Sequence, residues 1–225
     1  MVKHGVLIAV LILACAAGAF SQSRVELQFG ARAGIPFNIS MESRLTGVAG
    51  GISSQAYDRS PFLAGPTFTA LFYDRVAVEL DSLYKPIRGR GGAFSPTLPT
   101  TSSTHGSSWG FPLVADYQLV KSPVRLYLGG GMMAGETTTG TTEIRTTDTR
   151  TGVTTVRTEE FHAFPSQLPA YIVNGGLEWH GNRIVIRPEL RYTRWSPVSQ
   201  GTNAARHRNQ FEYLIGFSLR GYKLQ

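Results

Sequence analysis

The sequence predicts an all-β fold, an eight-stranded antiparallel up-and-down transmembrane β-barrel with short turns at one end and long loops at the other. Three observations lead to this prediction. Apolar and polar residues alternate with the two-residue period of a strand, short and long connections alternate along the chain, and aromatic residues cluster at both ends of the apolar face.

The first predicted strand shows the alternation clearly. Val25, Leu27 and Phe29 have one parity, and Glu26 and Gln28 have the other. Successive side chains of a strand point to opposite faces, so this pattern predicts one apolar face and one polar face. The same pattern predicts eight strands, at residues 24–37, 62–73, 75–87, 108–120, 123–135, 167–180, 183–195 and 209–222.

The connections between these segments are of two kinds. Short turns of typical turn residues lie at 73–75, 121–123 and 180–182. Long connections lie between them, at 38–61, 88–107, 136–166 and 196–208. Outer-membrane barrels alternate short periplasmic turns with long extracellular loops, so the alternation favours a membrane barrel over a soluble sandwich.

Aromatic residues of the apolar parity lie near both ends of the predicted strands. Those near the long-loop ends are Phe37, Phe62, Tyr84, Trp109, Tyr171, Tyr192 and Phe211. Those near the short-turn ends are Phe72, Tyr117, Trp179 and Phe217. Aromatic residues favour strands in general, but that preference does not explain their placement at both ends of one face. The placement predicts two aromatic girdles around an apolar band.

The N-terminus has the pattern of an export signal. Lys3 precedes an apolar run at 6–20, which is short for a membrane span and has the length of a signal-peptide core. Small residues that suit a cleavage site follow this run. We expect residues 1–21 to be removed, Cys15 with them, and residues 22–225 to form the barrel domain.

The composition excludes several classes of protein. A mean hydropathy of −0.08 excludes a helical membrane protein, and a single cysteine excludes a disulfide framework and a cysteine-based zinc site. The net charge of +7 would suit a nucleic acid, but export makes nucleic acid an unsuitable partner. Because the predicted interior is nearly neutral, the basic excess lies at the two membrane faces. We therefore expect contacts with phospholipid and lipopolysaccharide head groups.

These features resemble the small eight-stranded outer-membrane barrels of the OmpA transmembrane-domain and OmpX type. The resemblance rests on the export signal, on the segments at 78–85 and 109–117, and on the alternating last strand. It covers residues 24–225 as a pattern and implies a location in the bacterial outer membrane. Members of the family commonly end on an aromatic residue, whereas this sequence continues past Phe217 to Gln225. We expect a monomer.

The polar parity predicts what fills the barrel. Its charged residues are Glu26, Arg32, Glu79, Asp81, Lys85, Asp116, Arg125, Glu178, Arg187, Glu189, Arg191, Glu212 and Arg220. Gln28, Tyr127 and Asn174 are additional hydrogen-bonding groups. The interior of an eight-stranded barrel is just wide enough for side chains to fill it, and buried charges need partners. We expect a mostly plugged lumen, with a narrow channel for ions or small solutes as the alternative.

Catalysis has few candidate residues. Glu189 lies between two arginines, which would keep its carboxylate ionised rather than poised as an acid. His105, His162 and His207 fall in three long loops and share no metal-ligand spacing. We predict no catalytic residue, no metal site and no cofactor. An envelope-lipid-modifying enzyme and a soluble lipocalin-like barrel, with apolar residues inside, are the remaining alternatives.

The long loops are expected to carry any specificity that the protein has. Within the loop at 136–166, the Thr-rich residues 136–160 predict a hairpin that turns at 148–152, because Thr and Val favour strands. The loop at 88–107 contains four glycines and two prolines, and we expect it to be mobile. Both loops are candidate contact sites for a protein or surface partner.

Two prolines conflict with a closed barrel. Pro66 and Pro188 fall inside predicted strands, and a barrel has no free edge to accommodate a missing N–H group. We expect a β-bulge at each of them.

Overall fold

The computed structural model describes residues 25–38, 44–48, 51–120, 122–163, 169–196 and 208–224, so the predicted signal lies outside the described residues. The strands within these ranges are β1 (Val25–Pro36), β2 (Arg44–Val48), β3 (Gly51–Tyr57), β4 (Leu63–Phe72), β5 (Val76–Asp81), β6 (Leu83–Phe94), β7 (Thr100–Gln118), β8 (Val124–Thr147), β9 (Thr154–Ala163), β10 (Ala170–His180), β11 (Ile184–Trp195) and β12 (Asn209–Leu224). In this part of the chain no helix is both long enough and apolar enough to cross a bilayer.

Eight strands form a closed antiparallel barrel. Around the barrel they follow the order β1, β4, β5 with β6, β7, β8, β10, β11 and β12, and β12 pairs with β1. β5 and β6 act as one barrel strand that is interrupted at Ser82. The predicted fold class is confirmed, and each of the eight predicted segments coincides with a barrel strand.

The barrel buries its polar face and exposes its apolar face. On β1, Glu26, Gln28 and Arg32 are buried, whereas Phe29 is 61% exposed and Ile35 is 46% exposed. An apolar outer face of this kind is suited to lipid, because in water its apolar surface area would remain exposed to solvent at a cost in free energy. The soluble lipocalin-like alternative, which places apolar residues inside, is therefore wrong.

The short turns join neighbouring strands at one end of the barrel. Between β4 and β5, Tyr73 and Asp74 have φ values of 52° and 55°, and the N–H of Arg75 donates to the carbonyl of Phe72 at 2.9 Å. Positive φ at both central residues defines a type I′ turn, whose twist matches that of the flanking strands. The start of β1 and the end of β12 lie at the same end, since Val25 is opposite both Phe72 and Leu224.

Three barrel strands continue beyond the opposite end of the barrel. The distal parts of β6, β7 and β8 pair with one another, β3 and then β2 follow β6, and β9 follows β8. We call this six-stranded sheet the extension; it comprises β2, β3, residues 87–94, 100–107 and 137–147, and β9. The predicted hairpin at 136–160 is confirmed, since β8 and β9 pair on either side of the turn at 148–152.

The prediction that residues 88–107 form a mobile loop is wrong. They belong to β6 and β7, which pair along their length and are joined by residues 95–99. β3 on one side and β8 on the other provide partners for this glycine-rich segment. At Gly89 a Cβ would approach the Tyr57 ring to 2.8 Å, so the absence of a side chain lets β3 pack there. Pairing with neighbouring strands outweighs the weak strand preference of glycine and serine.

The prediction of bulges at Pro66 and Pro188 is also wrong. Register shifts among the described residues fall between Glu26 and Gln28 and between Gly110 and Pro112. Beside Pro188 the ladder between β10 and β11 skips two pairs beyond Gly176, so the proline interrupts no continuous ladder there. Pro66 lies where β5 gives way to β6, and its carbonyl accepts a hydrogen bond from the N–H of Ser82. Interrupted pairing, not an inserted residue, accommodates both prolines.

Candidate functional site

The barrel lumen contains all thirteen charged residues of the predicted network. Eleven of them are buried, and Arg125 and Arg220 are half-buried near the short-turn end. They come from β1, β5, β6, β7, β8, β10, β11 and β12, and all have the inward parity. Because strand alternation directs them to one enclosed space, residues that are distant in sequence become neighbours.

Arg32 lies at the centre of the lumen and contacts three carboxylates. Its Nη2 is 2.6 Å from Oε2 of Glu79, and its Nη1 is 3.3 Å from Oδ2 of Asp81 and 3.2 Å from Oε2 of Glu189. Both members of each pair are at most 1% exposed. The guanidinium therefore links β1 to β5 and β11 through ion pairs that water does not screen.

Two arginines of β11 complete the central group of charges. Arg191 is 2.8 Å from Glu189 and 2.9 Å from Asp81 through its Nε and Nη2. Arg187 is 2.9 Å from Oε2 of Glu79 and also pairs with Asp116. We call the resulting set the central cluster; its members are Arg32, Glu79, Asp81, Asp116, Arg187, Glu189 and Arg191.

Neutral groups add hydrogen bonds and a cation–π contact to the central cluster. The hydroxyl of Tyr127 donates to Oε2 of Glu189 at 3.0 Å, and the Arg187 guanidinium lies 3.8 Å from the centroid of the Tyr127 ring. The amide of Asn174 donates to Oδ1 of Asp116 at 2.9 Å. Hydrogen bonds of this kind satisfy carboxylate lone pairs that ion pairs alone leave unfilled.

A second group of charges lies nearer the extension. Nζ of Lys85 is 2.6 Å from Oε1 of Glu212 and 3.2 Å from Oε1 of Glu136, and the hydroxyl of Ser108 donates to Glu136 at 3.0 Å. We call Lys85, Glu136 and Glu212 the upper cluster. Glu136 is not predicted from the sequence, where it falls in a long loop. Between Met133 and Glu136, β8 has one residue more than β7 has between Pro112 and Gly110, so the inward parity of β8 changes before Glu136.

A third group lies near the short turns. Arg220 contacts both carboxylate oxygens of Glu26, at 2.8 and 2.9 Å. Arg125 donates to the side-chain oxygen of Gln118 at 2.7 Å, and Gln118 donates in turn to Glu178 at 2.8 Å. The Glu178 carboxylate also contacts the ring of His180. Charges therefore fill the lumen at three levels.

Buried apolar side chains lie beside the central and upper clusters, which meet where Arg191 is opposite Glu212 across the ladder. On β6, Leu83 lies two residues from Asp81 and two from Lys85, and it packs with Leu63 and Leu214. A second buried apolar group contains Val114, Met133, Ala170, Ile172 and Trp195, and we call the two groups together the apolar layer. The sequence does not predict this layer, because the alternation assigns apolar residues to the outer face. A cavity beside this layer has a volume of about 10 Å³, which holds about one water molecule.

The predicted girdle residues all lie on the outer face. Eight of them are 39–59% exposed, namely Phe37, Phe62, Trp109, Tyr117, Tyr171, Trp179, Phe211 and Phe217. Phe72, Tyr84 and Tyr192 are half-buried by neighbouring side chains. Near the extension, ring centroids are 6.3 Å apart for Phe62 and Tyr84 and 5.4 Å apart for Tyr84 and Trp109. The structure therefore contains an aromatic row near each end of the outer face.

The two candidate catalytic histidines within the described residues lie on different strands. His105 lies on β7, where its Nε2 is 3.1 Å from the Ser103 hydroxyl in an exposed part of the sheet. Within the described residues no carboxylate hydrogen-bonds its other ring nitrogen. His162 is exposed on β9, and His207 lies outside the described residues. The described part of the chain contains no group of three or more His, Cys, Asp or Glu side chains arranged to hold a metal ion.

The fold and the lumen together define a small transmembrane β-barrel of the outer-membrane type, with apolar residues outside and charges inside. The chain is similar in structure to the outer membrane protein OprG from Pseudomonas aeruginosa, with 16% identity, a TM-score of 0.45 and coverage of 89% of this chain and 96% of OprG. It is also similar to the N-terminal β-barrel domain of OprF from the same organism (12% identity, TM-score 0.35, 88% and 97% coverage). A third similar structure is Ail from Yersinia pestis (12% identity, TM-score 0.35, 88% and 99% coverage). No protein family and no curated protein matches the sequence.

Proposed function

We propose that this chain is a bacterial outer-membrane protein whose barrel is a mostly plugged, non-conducting scaffold that displays the extension at the cell surface. The observation that carries the proposal is the filled lumen, in which buried ion-pair clusters and buried apolar side chains occupy the interior. The proposal includes cleavage of residues 1–21, a monomeric state and no catalytic centre.

The filled lumen opposes ion flow for two physical reasons. A permeating ion would have to separate buried pairs such as Arg32–Glu79 or Lys85–Glu212, and an unpaired buried charge costs several kcal/mol. It would also have to pass buried apolar side chains such as Leu83, Met133 and Ile172, which replace none of its hydration shell. Either step alone makes conduction slow, and a permeating ion meets both.

The outer face supports a membrane location. Between the two aromatic rows the exposed side chains are apolar, including Leu80, Leu113 and Val173 at 45–61% exposure. Tyrosine and tryptophan rings place their polar atoms at the membrane interfaces while their carbon frames stay in lipid. We propose that the rows occupy the two interfaces and that phospholipid and lipopolysaccharide surround the band.

The extension supports a role in contacts with other molecules. Within the described residues β9 pairs with β8 alone, so its other edge carries backbone groups without strand partners. Residues 153–160 are exposed. An exposed edge of this kind can accept an extended segment of a partner protein by strand addition. The pairing of β9 with the distal part of β8 places this edge beyond the end of the barrel.

Conductance in planar lipid bilayers tests the plugged scaffold against the narrow channel. We expect the refolded full-length protein to give no discrete current steps, while gel migration that shifts on boiling shows that it is folded. Protection of the barrel from added protease in the same bilayers would show that it has inserted. Regular current steps from inserted wild-type protein would refute the plug and support the channel.

A further inference from the structure

A groove on the outward face of the extension collects basic side chains just beyond the aromatic row. Its volume is about 570 Å³, and binding sites for small molecules range over about 300–1,000 Å³. The charged and titratable residues that line it are Asp58, Arg88, Arg90, His105, Glu143 and Arg145.

Three neighbouring strands bring these residues together. In the β6–β7 pairing Arg88 is opposite His105, and in the β7–β8 pairing Thr101 is opposite Arg145. Arg90 follows Arg88 at the two-residue interval that keeps both on one face. Strand pairing therefore places three guanidinium groups around one depression, although β8 is far from β6 in the sequence.

The arginines of the groove differ in how they are engaged. Arg145 pairs with Glu143 at 2.5 Å, yet its side chain remains 62% exposed. Arg88 and Arg90 are exposed, and within the described residues neither forms an ion pair. The groove therefore presents two guanidinium groups with free donors. Guanidinium forks match phosphate oxygens in two-point hydrogen bonds, which ammonium groups do not.

The distance of the groove from the aromatic row, along the membrane normal, indicates which kind of head group lies beside it. Arg88 lies four residues beyond Tyr84 of the aromatic row on the same face of β6. At about 3.4 Å per residue and a strand tilt of about 45°, this separation is about 10 Å along the membrane normal. A phospholipid head-group layer is only about 5–7 Å thick. The groove therefore lies at the level of a larger, sugar-containing head group.

We infer that this groove binds a phosphate group on the sugar head group of an outer-leaflet glycolipid. Arg88 and Arg90 hold the phosphate oxygens, and the acyl chains of the glycolipid lie against the apolar band below Tyr84 and Trp109. Anionic head groups are attracted to juxtamembrane arginines at short range. The inference rests on the proposed outer-membrane location, but it does not depend on whether the lumen conducts.

Binding of lipid A to the refolded full-length protein in neutral-detergent micelles tests this inference. Arg88→Gln together with Arg90→Gln should weaken binding of fluorescent bis-phosphorylated lipid A by about tenfold or more, since two charge-assisted contacts are lost. Dephosphorylated lipid A should bind the wild type as weakly as the phosphorylated form binds this variant. Added salt should weaken wild-type binding of the phosphorylated form.

Arg157→Gln is the matched control. Arg157 lies on β9 opposite Ile144, so it faces the other side of the sheet, and its side chain is 75% exposed. This variant loses one equivalent charge from the extension and should bind lipid A within about twofold of wild type.

Three outcomes would overturn the inference. One is unchanged binding by the Arg88/Arg90 variant when its boiling-dependent gel shift is normal. A second is an equal loss in the Arg157 control. The third is full competition by inorganic phosphate at low concentration, which would assign the groove to a soluble anion. A failure of the outer-membrane location would instead be seen independently, as recovery of the protein in the soluble fraction of cells.

Discussion

β7 runs through both the barrel and the extension, and its two halves differ in what their side chains face. In the barrel half, Asp116 faces the buried interior and Leu113 faces outward, so the two faces of the strand differ completely. In the extension half, both faces are polar. There Thr104 lies 3.1 Å from Thr142 across the ladder, while His105 is exposed on the opposite face. One continuous strand therefore passes through two environments.

Ion pairs show what this difference means energetically. Barrel pairs such as Arg32–Glu189 join residues that are far apart in sequence, and both side chains are at most 1% exposed. Extension pairs such as Arg157–Glu159 join residues of one strand and are 75% and 45% exposed. Their distances are similar, at 3.2 and 3.1 Å. Burial, not distance, decides how much each pair matters, because water screens the exposed one.

Removal of the central arginine should have the largest effect. Arg32→Met leaves Glu79, Asp81 and Glu189 with one fewer cation in a buried site, and it should lower the free energy of unfolding by about 3–5 kcal/mol. Urea titration of the protein folded into lipid vesicles, followed by tryptophan fluorescence, measures this change.

Arg157→Met is the control for that experiment, since it removes the same group from the extension. It should change the free energy of unfolding by less than about 1 kcal/mol. Equal losses for the two variants would contradict the conclusion that burial separates the barrel pairs from the extension pairs.

A charge on the outer face should have the next largest effect. Leu113 lies midway between Trp109 and Tyr117 on β7 and is 45% exposed. Leu113→Arg places a cation at the centre of the apolar band and should cost about 2–4 kcal/mol in vesicles. Thr139→Arg, on the outward face of the extension, should be nearly neutral. A neutral effect of Leu113→Arg would argue against lipid around this band.

The coupling within a pair should also differ between the two regions. A double-mutant cycle with Lys85→Met and Glu212→Gln measures the coupling of a buried pair, which we expect to lie within about 0.5–3 kcal/mol. The corresponding cycle with Arg157→Met and Glu159→Gln should give about 0.2–1 kcal/mol. A larger coupling in the exposed pair would reverse the comparison.

The barrel could be predicted from the sequence because its two faces meet different media. Lipid on one side and a filled lumen on the other require strict alternation, so Arg187, Glu189 and Arg191 identify the inner face without any structure. The aromatic residues at both ends of the outer face then indicate the length of each span. Position in the alternation was sufficient for all thirteen charged residues.

The parts that escaped prediction depend on pairing between strands. Glu136 follows the register shift opposite Pro112, and the two-residue alternation of inward and outward side chains along β8 does not continue through this shift. Leu83 and Leu214 have the inward parity, but a pattern that sorts apolar residues outward does not identify them as a layer. In the extension, Gly89 pairs in a ladder that its own propensity does not favour. Each case requires knowledge of the neighbouring strand.

Acidification should have the smallest and most local effect, a loss of stability in the hairpin turn of the extension. The N–H of Arg150 donates to Oδ1 of Asp148 at 2.8 Å, and this backbone hydrogen bond lowers the pKa of the Asp148 carboxyl. Because the folded pKa lies below the unfolded value of about 3.9, the turn gains stability above that pH and loses it as pH falls through the folded pKa. Amide protection factors near Gly152 should therefore fall in acid while those of the barrel strands stay constant. Asp148→Asn keeps the acceptor but cannot titrate, so its protection near Gly152 should not change over this pH range. Identical pH profiles for wild type and Asp148→Asn would show that the turn is held by its backbone alone.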